Sequence, residues 1–242
     1  MRILVISDIH GNFPALEAVL ADAGTYDAVW CLGDLVGYGP QPNECIERVR
    51  GLPGLICLLG NHDAASMGGI DLEDFNIEAQ KSVRWMIEHL TEDNKAYLEE
   101  LPEKNRYNGF TLVHGSPRYP IWEYILTSED ARHNFPIMTT KYCLVGHSHV
   151  PSVFSLGKKD TQIHMVIPQP GYPVKLKPRA IINPGSVGQP RDHNPNACYA
   201  ILDLETFTWE LFRVPYNYQL VQKLIMEAGL PVRNAARLEG GW

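Results

Sequence analysis

Short apolar runs and segments of helical periodicity alternate through the first 60 residues. The runs are RILVIS from residue 2, AVWCLG from residue 28 and GLICLLG from residue 54. Residues 12–24 and 42–50 lie between these runs and repeat apolar side chains every three or four positions, which predicts two helices. Strands that are apolar on both faces and joined by helices predict a parallel sheet covered by helices.

The rest of the chain continues with helices and then with many short strands. Helix formers dominate residues 76–101 and predict two helices, and apolar runs from residues 109 and 142 predict strands. After Pro151, runs separated by turn residues predict an antiparallel or mixed second sheet, followed by a closing helix in residues 216–231. No linker or repeat divides the chain, so we expect one domain over residues 1–242.

Composition, charge and cysteine usage exclude several classes of protein. The 242 residues are 45% hydrophobic, as in an ordinary globular protein. The net charge of −7, without a Lys- or Arg-rich block, argues against stable nucleic-acid binding. The five cysteines form no CxxC pair, so we expect neither a disulfide framework nor a thiolate metal site. No run reaches the roughly 20 apolar residues of a membrane helix, and the N-terminus has no signal pattern, which predicts no membrane contact and a cytoplasmic location.

Residues of the kinds that bind metal ions follow five of the apolar runs. They are Asp8 and His10, then Asp34, then Asn61, His62 and Asp63, then His114, and finally His147 and His149. Each one alone has a structural explanation, such as a helix cap or a turn. In open α/β sheets, however, sites form outside the carboxyl ends of the strands. The repetition at five strand ends therefore predicts that these side chains converge on one cleft.

The last pair lies in the stretch CLVGHSHVP. In an extended segment, the side chains of residues i and i+2 point to the same face. This spacing predicts that the rings of His147 and His149 emerge side by side at the end of a buried strand. The alternative is a pair of surface histidines in a turn.

The types of candidate ligand narrow the choice of metal. Carboxylate, imidazole and amide groups without a thiolate suit first-row dications such as Mn, Fe, Zn, Co or Ni, with manganese as our first expectation. The candidates are too many for one ion, whereas two ions about 3.5–4 Å apart would use most of them. Two cations so close need an anion between them. Asp34 stands alone after its strand and is free to bridge them.

At this point the motifs resemble those of a known family. They are DIH at residues 8–10, GDLVG at 33–37, GNHD at 60–63, HG at 114–115 and GHSH at 146–149. This set, in this order, resembles the calcineurin-like metallophosphoesterase superfamily from the first strand to at least Val150. The stretches GYGPQPNECIE and NPGSVGQPRD resemble its small bacterial and archaeal phosphodiesterase branch, which is related to diadenosine tetraphosphatases. The resemblance implies an α/β fold, namely a four-layer α/β/β/α sandwich of two mixed sheets flanked by helices, with the metals at the edge between the sheets.

The resemblance also implies a role for each candidate residue. Asp8, His10 and His149 would bind the first metal, Asn61, His114 and His147 the second, and Asp34 both. His62 would be a catalytic histidine near the leaving group rather than a ligand, with Asp63 orienting it. Asn61 would also contact the substrate. Arg191 in GQPRD would contact the phosphate, although a solvated loop arginine is the alternative.

The implied reaction is that of a binuclear metal-dependent phosphoesterase. A hydroxide bridging the metals would attack phosphodiester or nucleotide phosphoanhydride bonds of a small phosphorylated substrate. A protein Ser/Thr phosphatase and a non-catalytic metal-binding scaffold are alternatives, and a homo-oligomer is compatible with the sequence. Residues 116–142 lie between two ligand-bearing strands and would form a lid, in which Trp122 and Tyr124 could stack on a base. The alternative is that these rings only cover the core.

Overall fold

The structure is a computed structural model that describes residues 1–157 and 162–242. The strands within these residues are β1 (Arg2–Ile6), β2 (Ala28–Cys31), β3 (Ile56–Cys57), β4 (Lys104–Tyr107), β5 (Phe110–Val113), β6 (Tyr142–Leu144), β7 (Ser152–Leu156), β8 (Ile163–Val166), β9 (Val174–Lys175), β10 (Ala180–Asn183), β11 (Ala197–Asp203) and β12 (Thr208–Val214). The helices are α1 (Phe13–Asp22), α2 (Pro42–Arg50), α3 (Asn61–Ser66), α4 (Ile77–His89), α5 (Glu92–Glu99), α6 (Ser128–Asn134), α7 (Tyr218–Glu227) and α8 (Val232–Gly240). Short 3₁₀ turns occupy Leu72–Asp74 and Phe135–Ile137.

Two six-stranded mixed sheets form the framework of the protein. The first has the order β3-β2-β1-β11-β12-β9 and the second the order β4-β5-β6-β10-β7-β8. In the first sheet, β1 runs parallel to β2 and antiparallel to β11. In the second, β6 runs parallel to both β5 and β10. Each sheet therefore keeps a parallel part, and the predicted fold class of two mixed sheets flanked by helices is confirmed.

The alternation of side chains along the strands builds the layers. Ile3 and Val5 of β1 point into a core between the two sheets, which also holds Phe110 and Leu144 of the second sheet. Their neighbours Leu4 and Ile6 point the other way, into a core shared with α1, α2 and α5. Residues from the outer face of the second sheet pack on α6. Because the central strands of both sheets are apolar and buried on both faces, the molecule stacks as helices, sheet, sheet and helix.

The distribution of the later strands differs from the prediction. The strands after Pro151 do not form a sheet of their own: β7, β8 and β10 complete the second sheet, whereas β9, β11 and β12 extend the first. For example, Leu4 of β1 pairs with Ile201 of β11. An apolar run shows that a strand is buried but not which strand lies beside it. The sequence pattern therefore could not assign these strands to a sheet.

Two helices were not predicted. The α3 helix begins directly after Gly60, whose backbone N–H donates to the Asp63 carboxylate one turn later (3.0 Å). The α8 helix lies beyond the segment in which we expected a single closing helix. Within residues 1–157 and 162–242, no helix combines the length and the apolar character needed to cross a membrane, and all five cysteines are free and buried.

Candidate metal centre

Most of the predicted ligands lie in an unusual backbone conformation. A positive φ is uncommon for residues other than glycine, costs on the order of 1 kcal/mol or more, and clusters at functional sites. Among the predicted ligands, the residues with positive φ are Asp8 (54°), His10 (52°), Asp34 (55°), His147 (62°) and His149 (59°). These residues occupy the turns that directly follow β1, β2 and β6.

The backbone at His147 and His149 corrects one of our expectations. Because both residues have positive φ, the segment is not extended and the two side chains do not emerge as a parallel pair. Instead, the His147 ring lies with Asp34 and His114, and the His149 ring lies with Asp8 and His10. The turn after β6 thus sends its two histidines into two different groups.

Glycines allow the turns to approach one another. A Cβ atom on Gly60 would lie 2.1 Å from Oδ1 of Asp34, and one on Gly146 would lie 2.1 Å from Oγ of Ser7. Both distances are far below van der Waals contact. The glycines that precede the ligand residues in GNHD and GHSH are therefore required by the close packing of the site.

The first group of side chains consists of Asp8, His10 and His149. All three are almost completely buried, and one candidate ligand atom from each lies within 4.8 Å of the others. Oδ1 of Asp8 lies 3.3 Å from Nε2 of His149 and 3.9 Å from Nε2 of His10. The two Nε2 atoms are 3.1 Å apart. These three atoms could bind one cation together.

The second group consists of Asp34, His114 and His147, again buried and within 4.8 Å of one another. Asn61 extends this group, since its Oδ1 lies 3.0 Å from Nε2 of His114. Asp34 also lies close to the first group. Its Oδ2 is 3.4 Å from Nε2 of His114 and 3.6 Å from Nε2 of His10. The carboxylate predicted to bridge two ions therefore stands between the two groups.

Backbone carbonyls fix the orientation of the imidazole rings. Nδ1 lies next to a carbonyl oxygen in His10 (Val36, 3.0 Å), His114 (Leu32, 2.9 Å) and His149 (Gln189, 2.6 Å). A carbonyl only accepts hydrogen bonds, so each Nδ1 carries a proton, and each Nε2 faces the group and is the nitrogen that could bind a cation. In His147 the two ring nitrogens have the opposite roles. Its Nε2 contacts the carbonyl oxygen of Trp122 (3.0 Å), which leaves Nδ1 as the nitrogen that could bind a cation.

The protonation states agree with metal binding. Burial lowers the pKa of His10, of His149 and of His147, the last to about 3, so these rings are neutral at pH 7. Burial opposes the charged forms of Asp34 and His114, but their mutual attraction prevails: the pKa of Asp34 falls well below its usual range and the pKa of His114 rises to about 10. Bound cations would replace the proton on His114.

Two buried oxygen atoms show that this site fits metal ions. Oδ1 of Asp8 and Oδ2 of Asp34 have no hydrogen-bond partner within the described part of the chain. A buried carboxylate oxygen without a partner costs several kcal/mol in an ordinary protein interior, roughly the range seen for unpaired buried charges. Both atoms face imidazole nitrogens that could bind a cation, Nε2 of His149 at Asp8 and Nε2 of His10 and His114 at Asp34. A dication is the natural partner for such an arrangement of donors.

The structure places His62 beside the metal-binding groups but corrects the role of Asp63. The buried ring of His62 lies with His10 and Asp34 in a third group of potential ligands, and its Nδ1 has no partner among the described residues. The Asp63 carboxylate does not contact this ring. It accepts the backbone N–H groups of Asp34 (2.9 Å), Val36 (3.1 Å) and Gly60 (3.0 Å). Asp63 is therefore engaged in holding the loop that carries Asp34.

Arg191 and Tyr38 border the site. The Arg191 backbone N–H donates to the carbonyl of His149 (3.4 Å), and its guanidinium lies 5.7 Å from the centre of the Tyr38 ring. That ring lies 4.8 Å from the His10 ring and 4.6 Å from the His62 ring. We did not single out Tyr38 from the sequence. Its position between two glycines, directly after the GDLVG motif, was the sequence feature that could have indicated it.

The segment at residues 116–142 packs against the second group. Tyr124 stacks on the His147 ring with a centroid distance of 3.9 Å and is 44% exposed. The Trp122 ring lies 4.9 Å from the Phe75 ring and 6.1 Å from His147. An exposed aromatic face therefore stands beside a candidate ligand. That the segment acts as a lid stays a prediction.

Comparisons with known proteins identify a family to which the chain is similar over most of its length. A family model described as a calcineurin-like phosphoesterase superfamily domain matches residues 1–207. An uncharacterized protein of Methanocaldococcus jannaschii is 35% identical over 237 residues, covering 95% of this chain and 93% of that protein. The crystal structure of a metallophosphoesterase from Sphaerobacter thermophilus is similar with a TM-score of 0.91 at 45% identity, covering 100% of this chain and 99% of that one. The symmetrical bis(5'-nucleosyl)-tetraphosphatase of Aromatoleum aromaticum is 29% identical over 137 residues, which are 54% of this chain but only 48% of that enzyme.

Proposed function

The chain belongs to the calcineurin-like phosphoesterase superfamily, and from this premise we propose that it is a binuclear metal-dependent phosphoesterase. The proposed substrates are small phosphodiesters or nucleotide phosphoanhydrides. The observation that carries the proposal is the pair of buried carboxylate oxygens, on Asp8 and Asp34, which have no hydrogen-bond partner among the described residues and face imidazole nitrogens.

The two groups of side chains would hold one dication each. Asp8, His10 and His149 would bind the first, and Asn61, His114 and His147 the second, with Asp34 shared between them. When bound, two such ions would supply Lewis acidity and an activated water for attack on phosphorus. Manganese is our first choice among Mn, Fe, Zn, Co and Ni, because carboxylate and amide oxygens stand beside the imidazoles.

The remaining residues of the site would act on the substrate directly. The His62 ring lies next to Asp34 and His10, and its Nδ1 has no partner in the described part of the chain, so it would hydrogen-bond to the oxygen of the leaving group. The amide of Asn61 and the guanidinium of Arg191 would bind phosphoryl oxygens, for which the planar donors of arginine are well suited. Asp63 would act indirectly, by holding the loop of Asp34.

The choice of substrate rests on two observations. The Aromatoleum tetraphosphatase is similar over about half of this chain, although the match covers less than half of that enzyme's length. In addition, the half-exposed Tyr124 ring offers a face on which a nucleobase could stack. Together they favour a nucleotide over a phosphoprotein.

A hydrolysis screen of the metal-loaded protein tests the proposal. It should compare phosphomonoesters, phosphodiesters, cyclic nucleotides, dinucleoside polyphosphates and phosphopeptides, with the metal content measured by elemental analysis. We expect two metals per chain and turnover of diesters or dinucleoside polyphosphates. Efficient turnover of a folded phosphoprotein alone would instead indicate a protein phosphatase, and metal binding without any turnover would indicate a scaffold.

The variant Asp34→Asn provides the sharpest check. Removing the shared anion leaves two cations without the charge between them, so the variant should lose metal and nearly all activity. Asp93→Asn, which changes an exposed carboxylate in α5, is the matched control and should keep both. Normal turnover of Asp34→Asn with two metals per chain would contradict the binuclear model.

A further inference from the structure

The C-terminal helix α8 is anchored beside the candidate metal centre. Near its start, Nδ2 of Asn234 donates to the carbonyl of Tyr38 (3.2 Å) and to the hydroxyl of Ser82 (2.9 Å). Just after its end, the carbonyl of Gly241 accepts the backbone N–H of His193 (2.7 Å). The helix therefore spans from the Tyr38 loop to the loop that carries Arg191. It also lies beyond residues 1–207, to which the family model is restricted.

Two arginines on the elements around Tyr38 have unsatisfied donors: Arg191 lies over the Tyr38 ring, and Arg237 lies on α8, the helix whose Asn234 donates to the Tyr38 carbonyl. The Arg191 guanidinium donates to Oε1 of Gln189 (3.1 Å) and to the hydroxyl of Tyr38 (3.4 Å), but its buried Nε has no partner. Arg237, in the last turn of α8, lies 5.6 Å from the centre of the Trp242 ring and also has a buried Nε without a partner. These absences refer to the described residues.

The nearby carboxylates are engaged with other arginines. Asp192 forms an ion pair with Arg213, and Glu78 forms one with Arg233 (3.7 Å). Within the part of the chain that the structure describes, neither Arg191 nor Arg237 has a salt bridge. Burial lowers the pKa of Arg237, and the positive charge of Arg191 lowers it further. Two half-buried like charges are costly unless an anion lies between them.

The arginine pair lies on the same side of the site as His62. The Tyr38 ring, which the Arg191 guanidinium covers, is 4.6 Å from the His62 ring. If His62 contacts the leaving oxygen, the arginines lie where the rest of the leaving group would be.

We propose that Arg191 and Arg237 form a binding site for a phosphate group carried by the leaving group. This inference rests on the proposed function and narrows it to phosphoanhydrides in which the leaving group itself contains phosphate, such as dinucleoside polyphosphates. In the reaction, the oxygen of water bonds to the attacked phosphorus and the bridging P–O bond breaks. Its electron pair stays on the departing phosphate oxygen, and the water protons are distributed between the two products and the solvent. The arginines would bind the phosphate of the leaving group in the bound substrate and in the transition state alike, so their main contribution is to substrate affinity.

Substitution of Arg237 tests this binding site. Arg237→Gln should lower kcat/KM for diadenosine tetraphosphate by about 10- to 100-fold, mainly through KM, because a hydrogen bond to a charged group is lost. It should change kcat/KM for bis-p-nitrophenyl phosphate by less than about 2-fold, because that leaving group carries no phosphate. Arg237→Lys should recover part of the loss. Arg233→Gln, one turn earlier on the same helix and paired with Glu78, is the matched control.

The results distinguish a failure of the arginine site from a failure of the proposed function. Equal losses on both substrates, or no loss on the tetraphosphate, would overturn the arginine site while leaving the phosphoesterase intact. If the wild-type protein hydrolysed neither substrate, the affinity for adenosine 5'-(β,γ-imido)triphosphate would decide whether the arginine site exists. A weaker affinity in Arg191→Gln and Arg237→Gln than in Arg233→Gln would support the site even though the proposed function had failed. Equal affinities in all variants would refute it.

Discussion

At the scale of single residues, the site is defined by backbone geometry as much as by side-chain chemistry. The candidate ligands Asp8, His10 and Asp34 adopt positive φ angles that other parts of the chain reserve mostly for glycine. Such strain is retained only where surrounding contacts impose it. Two contacts hold these loops in place. The Asp63 carboxylate accepts the backbone N–H of Asp34, and the carbonyl of Val36 contacts Nδ1 of His10. The strained turns aim the ligand atoms at a common point.

His62 carries the first residue-scale prediction. His62→Ala should keep both metals but lose on the order of 10²–10⁴-fold in kcat on a substrate with a poor leaving group, the range typical of acid–base catalysis. With a p-nitrophenolate leaving group, which needs little help to depart, the loss should be much smaller. The measurements are kcat on the two substrates and the metal content by elemental analysis.

Two outcomes would contradict this role. An equal loss on both substrates would remove His62 from the leaving group. Loss of one metal from His62→Ala would instead identify His62 as a ligand, because its ring lies close enough to His10 and Asp34 to share a cation with them.

The residue types of the site could be predicted from the sequence, but some of their roles could not. The structure brings together Asp8, His10, Asp34, His114 and the two histidines of GHSH, because the turns that follow strands of both sheets meet at the edge between the sheets. The role of Asp63 was misjudged, since its partners are backbone amides, which leave no trace in a motif. Arg237 gave no signal at all, because it belongs to a helix whose position depends on tertiary contacts.

At the scale of elements, the site depends on the close approach of the loop after β2 to the start of α3. Gly60 lies at this approach, where a Cβ atom would be 2.1 Å from Oδ1 and 2.3 Å from the backbone nitrogen of Asp34. Gly60→Ala should therefore push the two loops apart. We expect a loss of about 1–3 kcal/mol in the free energy of unfolding, typical of overpacking, together with weaker metal binding.

Gly51→Ala is the matched control for this prediction. Gly51 ends α2 with a φ of −85°, and an added Cβ would meet no atom closer than 3.7 Å. Its effect should stay within about 1 kcal/mol, as measured by chemical denaturation. If Gly60→Ala matched Gly51→Ala in stability and in metal content, the proposed steric limit at the loop would be wrong.

The elements themselves were only partly predictable. Strands β1, β2, β5 and β6 were evident because they are apolar on both faces. The assignment of β11 to the first sheet was not, because strand pairing is a long-range choice that local hydrophobicity does not encode. The short α3 helix was also missed, since its six residues are mostly polar or small and lack a helical apolar face.

At the scale of the whole molecule, the two sheets bring the candidate ligands together only in the folded state. Asp8 and Asp34 come from loops of the first sheet, whereas His114 and His147 come from loops of the second, and the core between the sheets fixes their separation. The unfolded chain does not preserve this arrangement. Metal binding should therefore stabilise the native state and link the stability of the two sheets.

The last prediction concerns this linkage. Mn²⁺ at about 100 times its dissociation constant should stabilise the fold by about 2.7 kcal/mol per site, which corresponds to a rise in Tm of roughly 5–10 °C for a domain of this size. Differential scanning calorimetry with metal and with chelator measures the shift, and one cooperative transition is expected because both sheets share a core. Asp34→Asn should abolish the shift, whereas Asp93→Asn should retain it. Two separate transitions, with only one of them sensitive to metal, would show that a single sheet holds the ions and that the binuclear arrangement across both sheets is wrong.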